Sequence, residues 1–195
     1  MIAALRKWVR RFSRDEDGGA AVEAMLVLPI LLWAFVASFV MFDAYKKQTD
    51  GLKVSYAVAD ALSREENDIN QTFLNSMLKL SDFMTFSPEK LTQRVSIVCY
   101  SPQNQSYTVA WSRSTGPKKS SYPAHTNTSI HNERGRLPVI PLGDQLIVVE
   151  TFMRFTPIVD IGLSDQIFEY WTFTRPRFTN QVKWQGQNSW VCPSA

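Results

Sequence analysis

His125 and His131 are the chain's only histidines. They stand six residues apart in a stretch rich in Ser, Thr and Asn, and Glu133 is the one carboxylate close by in sequence. Two imidazoles on one helix face need a spacing of about four residues. The pattern therefore reads as a solvated loop rather than a metal centre. Asp160 and Asp165 flank Gly162 shortly after Pro157. That spacing suits turns better than a paired general acid and base. No Walker loop, GxSxG elbow or GxGxxG fingerprint occurs. These residues predict a protein that is not an enzyme, with no metal and no cofactor.

Two cysteines, Cys99 and Cys192, are far apart in sequence and have no cluster of other ligands beside them. In an oxidising compartment a disulfide is the default pairing. Closing so long a loop would stabilise the fold by about 4–5 kcal/mol in the chain-entropy treatment. Two unrelated buried thiols are the alternative.

Glu23 is the charge that asks for an explanation. It stands alone at the leading edge of residues 24–42, which carry no charge at all. A carboxylate inside hydrocarbon is costly, and the cost depends on depth. One reading is an interfacial glutamate, stabilised by its own helix N-terminus by roughly 0.3–1 kcal/mol. The sharper reading begins with a cut after Gly18. Gly19 would then supply a free ammonium and Glu23 would be the fifth residue of the mature chain. Its carboxylate could pair with the amine of a neighbouring subunit and fix the register between helices.

The elements that must position these residues follow from the apolar pattern. Residues 24–42 form a helix of about 28 Å, close to the roughly 30 Å hydrocarbon core of a bilayer. Five basic residues precede it: Arg6, Lys7, Arg10, Arg11 and Arg14. The basic side stays cytoplasmic and the rest of the chain lies outside the inner membrane. A cleaved signal peptide is the rival, but its apolar region runs about 7–15 residues and ends at small side chains. Here Phe39, Val40, Met41 and Phe42 continue past Ala37 and Ser38, so the run reads as an anchor. Pro29 should kink it.

Beyond Asp43 the helical pattern continues to about Arg64, with Tyr45, Leu52, Tyr56, Ala59 and Leu62 or Ser63 on one face. Gly51 weakens that helix by up to about 1 kcal/mol. A second amphipathic helix is predicted over residues 69–84, with Asp68 or Asn70 as its cap. The period then changes to two. Val95, Ile97 and Cys99 alternate with Arg94, Ser96 and Val98, and Tyr107, Val109 and Trp111 form a second alternating set after a turn. Residues 145–152 make a third strand, with Leu146, Val148 and Glu150 on one face and Ile147 and Val149 on the other. Residues 167–174 make a fourth, rich in aromatic and β-branched side chains. Residues 116–143, with four prolines and both histidines, are long for a plain connection, hence either a working loop or a mobile one. A short helix is expected near residues 128–134.

These elements define an α+β chain in three parts. Residues 1–18 are a basic leader, residues 19–65 a transmembrane helix with its extension, and residues 66–195 an α+β head with a four-stranded, mainly antiparallel sheet. The formal net charge is +3, and much of the positive charge lies in the leader. Lys118 and Lys119 form the other short basic cluster. No basic stripe interleaves with stacking aromatics, which argues against a nucleic-acid partner.

Gly18-Gly19-Ala20-Ala21-Val22-Glu23, followed by Met25-Leu26-Val27-Leu28-Pro29 and an apolar helix, resembles the processing region of type IVb prepilins. It is most similar to the TadE-like pseudopilins of tight-adherence (Tad/Flp) pilus systems. Residues 143–150, Phe155–Pro157 and Thr174–Arg177 follow in a familiar order. Ala24 departs from the pattern, which usually places an aromatic after the glutamate. The resemblance implies a pilin-like head in the periplasm and a helix anchored in a bacterial inner membrane. It implies a prepilin peptidase acting between Gly18 and Gly19. The partners it implies are other pilins or pseudopilins and the Tad membrane platform. A membrane-anchored periplasmic module, binding an envelope ligand through residues 116–143, is the alternative function.

Overall fold

Residues 19–63 contain one proline and no cluster of turn formers, and they fold as a single 45-residue helix, α1 (Gly19–Ser63), that runs through Pro29. The structure, a computed structural model, describes residues 19–86, 90–187 and 192. The basic leader and Gly18 lie outside the described residues. The chain divides into two compact units. One comprises the chain up to Asp43 with Ile158–Gly162, and the other Ala44–Pro157 with Leu163–Ala195.

In the first unit, α1 is apolar all round and exposed. Met25, Ile30, Trp33, Phe35 and Phe42 all face outward, while Val40 is buried. A helix of this length and composition can cross a membrane. It is the one such helix among the described residues. Within this unit Asp160 Oδ1 accepts a hydrogen bond from Gly162 N at 3.0 Å, so Asp160 is a turn residue as its sequence predicts.

In the second unit the distal half of α1 becomes part of a core. Val54, Val58, Ala59 and Leu62 are buried with one face of the sheet. The expected apolar face is displaced, because Tyr45, Leu52 and Tyr56 are exposed. Small residues explain the rotation. A Cβ on Gly51 would overlap the Tyr170 ring, and Ser55 Oγ donates to Thr172 Oγ1 at 2.9 Å. Gly51 and Ser55 thus let the helix backbone approach the sheet, so the glycine that weakens the isolated helix serves close packing.

The second helix is α2 (Gln71–Thr85), capped by Asn70, whose side chain accepts from Phe73 N. Asp68 does not take that role. Leu74 is buried, but the buried side then continues through Ser81 and Thr85, leaving Leu80, Phe83 and Met84 exposed. The strands are β1 (Thr92–Ser101), β2 (Ser106–Thr115), β3 (Gln145–Phe155) and β4 (Gln166–Thr174). They form one sheet in the order β2-β1-β3-β4, and every neighbouring pair is antiparallel.

That order dictates the long connection, since the chain must pass from edge strand β2 across β1 to reach β3. It does so over the face opposite the helices. A six-residue helix, α3 (Asn127–Asn132), and a 3₁₀ turn over Arg134–Arg136 lie in it. Ile130, Leu137 and Ile140 pack there with Val98, Tyr107, Leu146 and Val148 in a second core. The connection is therefore a folded cover for half of the sheet.

The alternation along β3 is as predicted, whereas that along β2 is not. Tyr107 and Val109 face the connection, but Trp111 faces the helices. A register shift at Ile97/Val98 makes Ile97 pair with Trp111 and Val98 with Val109. Ala110 is the extra residue of a β-bulge, and it flips every later side chain of β2. Trp111 Nε1 then donates to Val182 O at 3.0 Å.

The tail folds back on the head. Ile69 forms a parallel bridge with Trp184, and Cys99 and Cys192 sit at disulfide distance and are paired, with Cα atoms 5.6 Å apart. Cys99 belongs to the inner strand β1, so the pairing ties the tail to the middle of the sheet.

Candidate functional site

Among the described residues, a buried cluster under the long connection concentrates polar chemistry, and Glu23 stands alone near the start of α1. The cluster is built on register. Arg94 of β1 pairs with Glu150 of β3, which puts both side chains on the face covered by the connection. Glu150 is fully buried. Arg94 grips it with two donors: Nε to Oε2 at 2.7 Å and Nη2 to Oε1. Arg94 Nη1 also donates to Pro123 O at 2.9 Å.

His125 completes the set. Its Nε2 lies 2.9 Å from Glu150 Oε2 and its Nδ1 2.9 Å from Ser129 Oγ. A carboxylate only accepts, so Nε2 carries the proton. The backbone N of His125 donates to Ser112 Oγ, which is 2.8 Å from Ser96 Oγ. Trp171 closes the site from β4, edge-on to His125 and under the guanidinium of Arg136.

The electrostatics follow from this arrangement. Burial raises the carboxyl of Glu150, but the hydrogen bonds and charges of Arg94 and His125 outweigh it and hold the group below its ordinary value. A buried carboxylate with both oxygens engaged is a structural anchor.

Ser129, His125 and Glu150 line up in the order of a proton relay, yet the serine is committed. Ser129 Oγ accepts from Thr126 N and donates to Thr126 O, closing the capping box of α3. The cluster pins residues 122–129 to the sheet. Tyr122 assists by stacking on Phe152, with ring centroids 3.7 Å apart.

Of the two histidines read as part of a solvated loop, His125 is buried, whereas His131 is half-buried and 3.2 Å from Arg134 Nη1. Asp165 pairs with Arg154 at 2.6 Å. Among the described residues no group of three or more metal-ligating side chains converges.

Gly19 is the first residue of α1 and Glu23 follows one turn later, exposed. Gly18 lies outside the described residues. The two residues therefore occupy consecutive turns of one exposed helix.

Sequence reasoning missed the Arg94–Glu150–His125 cluster. The alternation of β1 and β3 does place Arg94 and Glu150 on inward faces, and two charges at inward positions of neighbouring strands are the signal that could have found it. His125 carried no local signal, because its partner is 25 residues away. Comparisons with family models, curated proteins and solved structures returned no match to this chain.

Proposed function

We propose that this chain is a minor pseudopilin or assembly component of a Tad-type (Flp, type IVb) pilus, held in a bacterial inner membrane by α1 with its head in the periplasm. The observation that carries the reading is the two-part character of α1. Its first half is apolar, exposed and opened by Gly19 with Glu23 one turn on. Its second half is locked into an α+β head. The exposed half suits hydrophobic packing with the helices of other pilins or of the membrane platform. Glu23 serves as the register charge, facing the amine that a prepilin peptidase frees at Gly19.

Intact-mass measurement of the mature chain tests this reading. A chain beginning at Gly19 in cells with a prepilin peptidase is the expected result. A chain retaining Met1 refutes the processed form and leaves an anchored assembly component. Unchanged piliation after deletion of the gene refutes both. A periplasmic binding module acting through residues 116–143 draws less support, because that segment buries Ile130, Leu137 and Ile140 against the sheet.

A further inference from the structure

The head carries an apolar and basic surface that its own core does not use. The last turns of α2 bury Ser81 and Thr85 and leave Leu80, Phe83 and Met84 outside. Phe86 follows in the left-handed region, φ 47°, and is 81% exposed. Its ring lies 5.5 Å from that of Phe83. That left-handed conformation is the C-cap that ends α2.

Three lysines lie at the same end of the head. Leu91 N donates to Asp82 Oδ1 at 2.9 Å, which holds the start of β1 and the neighbouring Lys90 beside the end of α2. Lys118 N donates to Thr92 Oγ1 at 3.2 Å, bringing Lys118 and Lys119 to the same end. Lys90, Lys118 and Arg154 line one small cleft with Ile167. The three lysines are exposed. Among the described acidic groups at this end, Asp82 accepts from Leu91 N and Asp165 pairs with Arg154.

Strand register identifies which end of the head this is. Thr92 pairs with Phe152, and β3 runs on to Phe155, whose ring lies under Lys47 Nζ at 5.1 Å. Lys47 stands in the first turn of the part of α1 that belongs to the second unit. The surface thus lies at the end of the head where α1 enters it.

We propose that this end of the head rests on an anionic bilayer surface, with Phe83 and Phe86 in the interfacial layer and Lys90, Lys118 and Lys119 against lipid headgroups. The inference rests on the anchored reading of α1. Exposed rings and lysines at one end match the chemistry of that layer, where aromatics partition and cations meet anionic lipid. The tether supplies the local concentration, so a modest affinity is enough to hold the docked state.

The test uses the full chain in vesicles, with a fluorophore on F86C or on N104C, a position in the turn between β1 and β2. In phosphatidylglycerol vesicles, shallow spin-labelled lipids should quench the label at 86 and not that at 104. Phosphatidylcholine vesicles should abolish the difference. Each basic residue near an anionic surface is worth roughly fivefold, so K118E with K119E should lower the docking equilibrium constant by about thirtyfold or more. Equal quenching at 86 and 104 in anionic vesicles overturns the proposal. So does shielding of position 86 that grows with protein density rather than with anionic lipid, which would indicate a second copy. Alkaline extraction separates the two readings. A chain that stays in the vesicles but leaves position 86 unquenched refutes the docking alone, and a chain that washes out refutes the anchor on which it depends.

Discussion

Arg94→Ala is the most informative single change to the head. It leaves Glu150 fully buried with His125 as its remaining side-chain partner. Removing one member of a buried, hydrogen-bonded ion pair costs about 3–5 kcal/mol, mostly through the charge left behind. A surface pair would cost well under about 1 kcal/mol. Arg94 is 14% exposed and Glu150 0%, so the buried figure applies.

The pH dependence gives a second, sharper signature. In the native head Glu150 lies below its ordinary value of 4.5. Its contribution is therefore present above that value and is lost as the pH falls through the folded one. Without Arg94, burial becomes the dominant influence and raises the group above 4.5. Acidification from about pH 7 toward pH 5 should then stabilise the variant relative to neutral pH, a window in which the wild-type Glu150 contribution does not change. Urea unfolding of the full chain in detergent measures both effects, and Trp171, edge-on to His125, should contribute to the fluorescence change. Replacing the pair together, Arg94→Met with Glu150→Leu, should recover most of the loss. A cost under about 1 kcal/mol for Arg94→Ala, with no new pH dependence between about pH 7 and pH 5, would refute the assignment of the cluster as the pin of the connection.

Gly51→Ala should gain up to about 1 kcal/mol in helix propensity and lose more, about 1–3 kcal/mol, by forcing the Tyr170 ring aside; a lowered urea midpoint would show it and a raised one would contradict it. Cys99→Ser with Cys192→Ser should cost about 2–5 kcal/mol, and reductant should reproduce that loss in the wild type while leaving the variant unchanged. Trp111→Phe removes the donor to Val182 O and should cost about 1 kcal/mol or more in urea unfolding, since that carbonyl loses its partner. Leu31→Lys places a cation in the middle of the apolar half of α1 and should release the chain from membranes on alkaline extraction, where the wild type stays.

Periodicity carried most of the secondary structure. Residues 24–42 lack any charge, Val95-Ile97-Cys99 alternates cleanly, and Asn70 sits where a cap is needed, so local chemistry alone places α1, β1 and α2. What it could not supply was decided at a distance. Tyr45, Leu52 and Tyr56 form a helical stripe in sequence, but the sheet selects the side carrying Gly51 and Ser55 because only there can Tyr170 and Thr172 approach. Trp111 belongs to a strand whose alternation is sound up to Ala110, and a bulge leaves no local mark when the extra residue is an ordinary alanine. His125 looks like any polar loop residue until the connection folds over Glu150. The apolar run with Glu23 at its edge was legible as pattern, because it depends on neighbours in sequence.

The pairing of Cys99 with Cys192, 93 residues apart, has a consequence for the order of events during biosynthesis. Synthesis proceeds at about 5–20 residues per second, so the thiol of Cys99 waits roughly 5–20 seconds for its partner to be made. The chain holds two cysteines, so a mispaired bond within the chain cannot form in that interval. The bond can close only once Cys192 has been made and delivered, so its presence marks a chain synthesised at least through that residue.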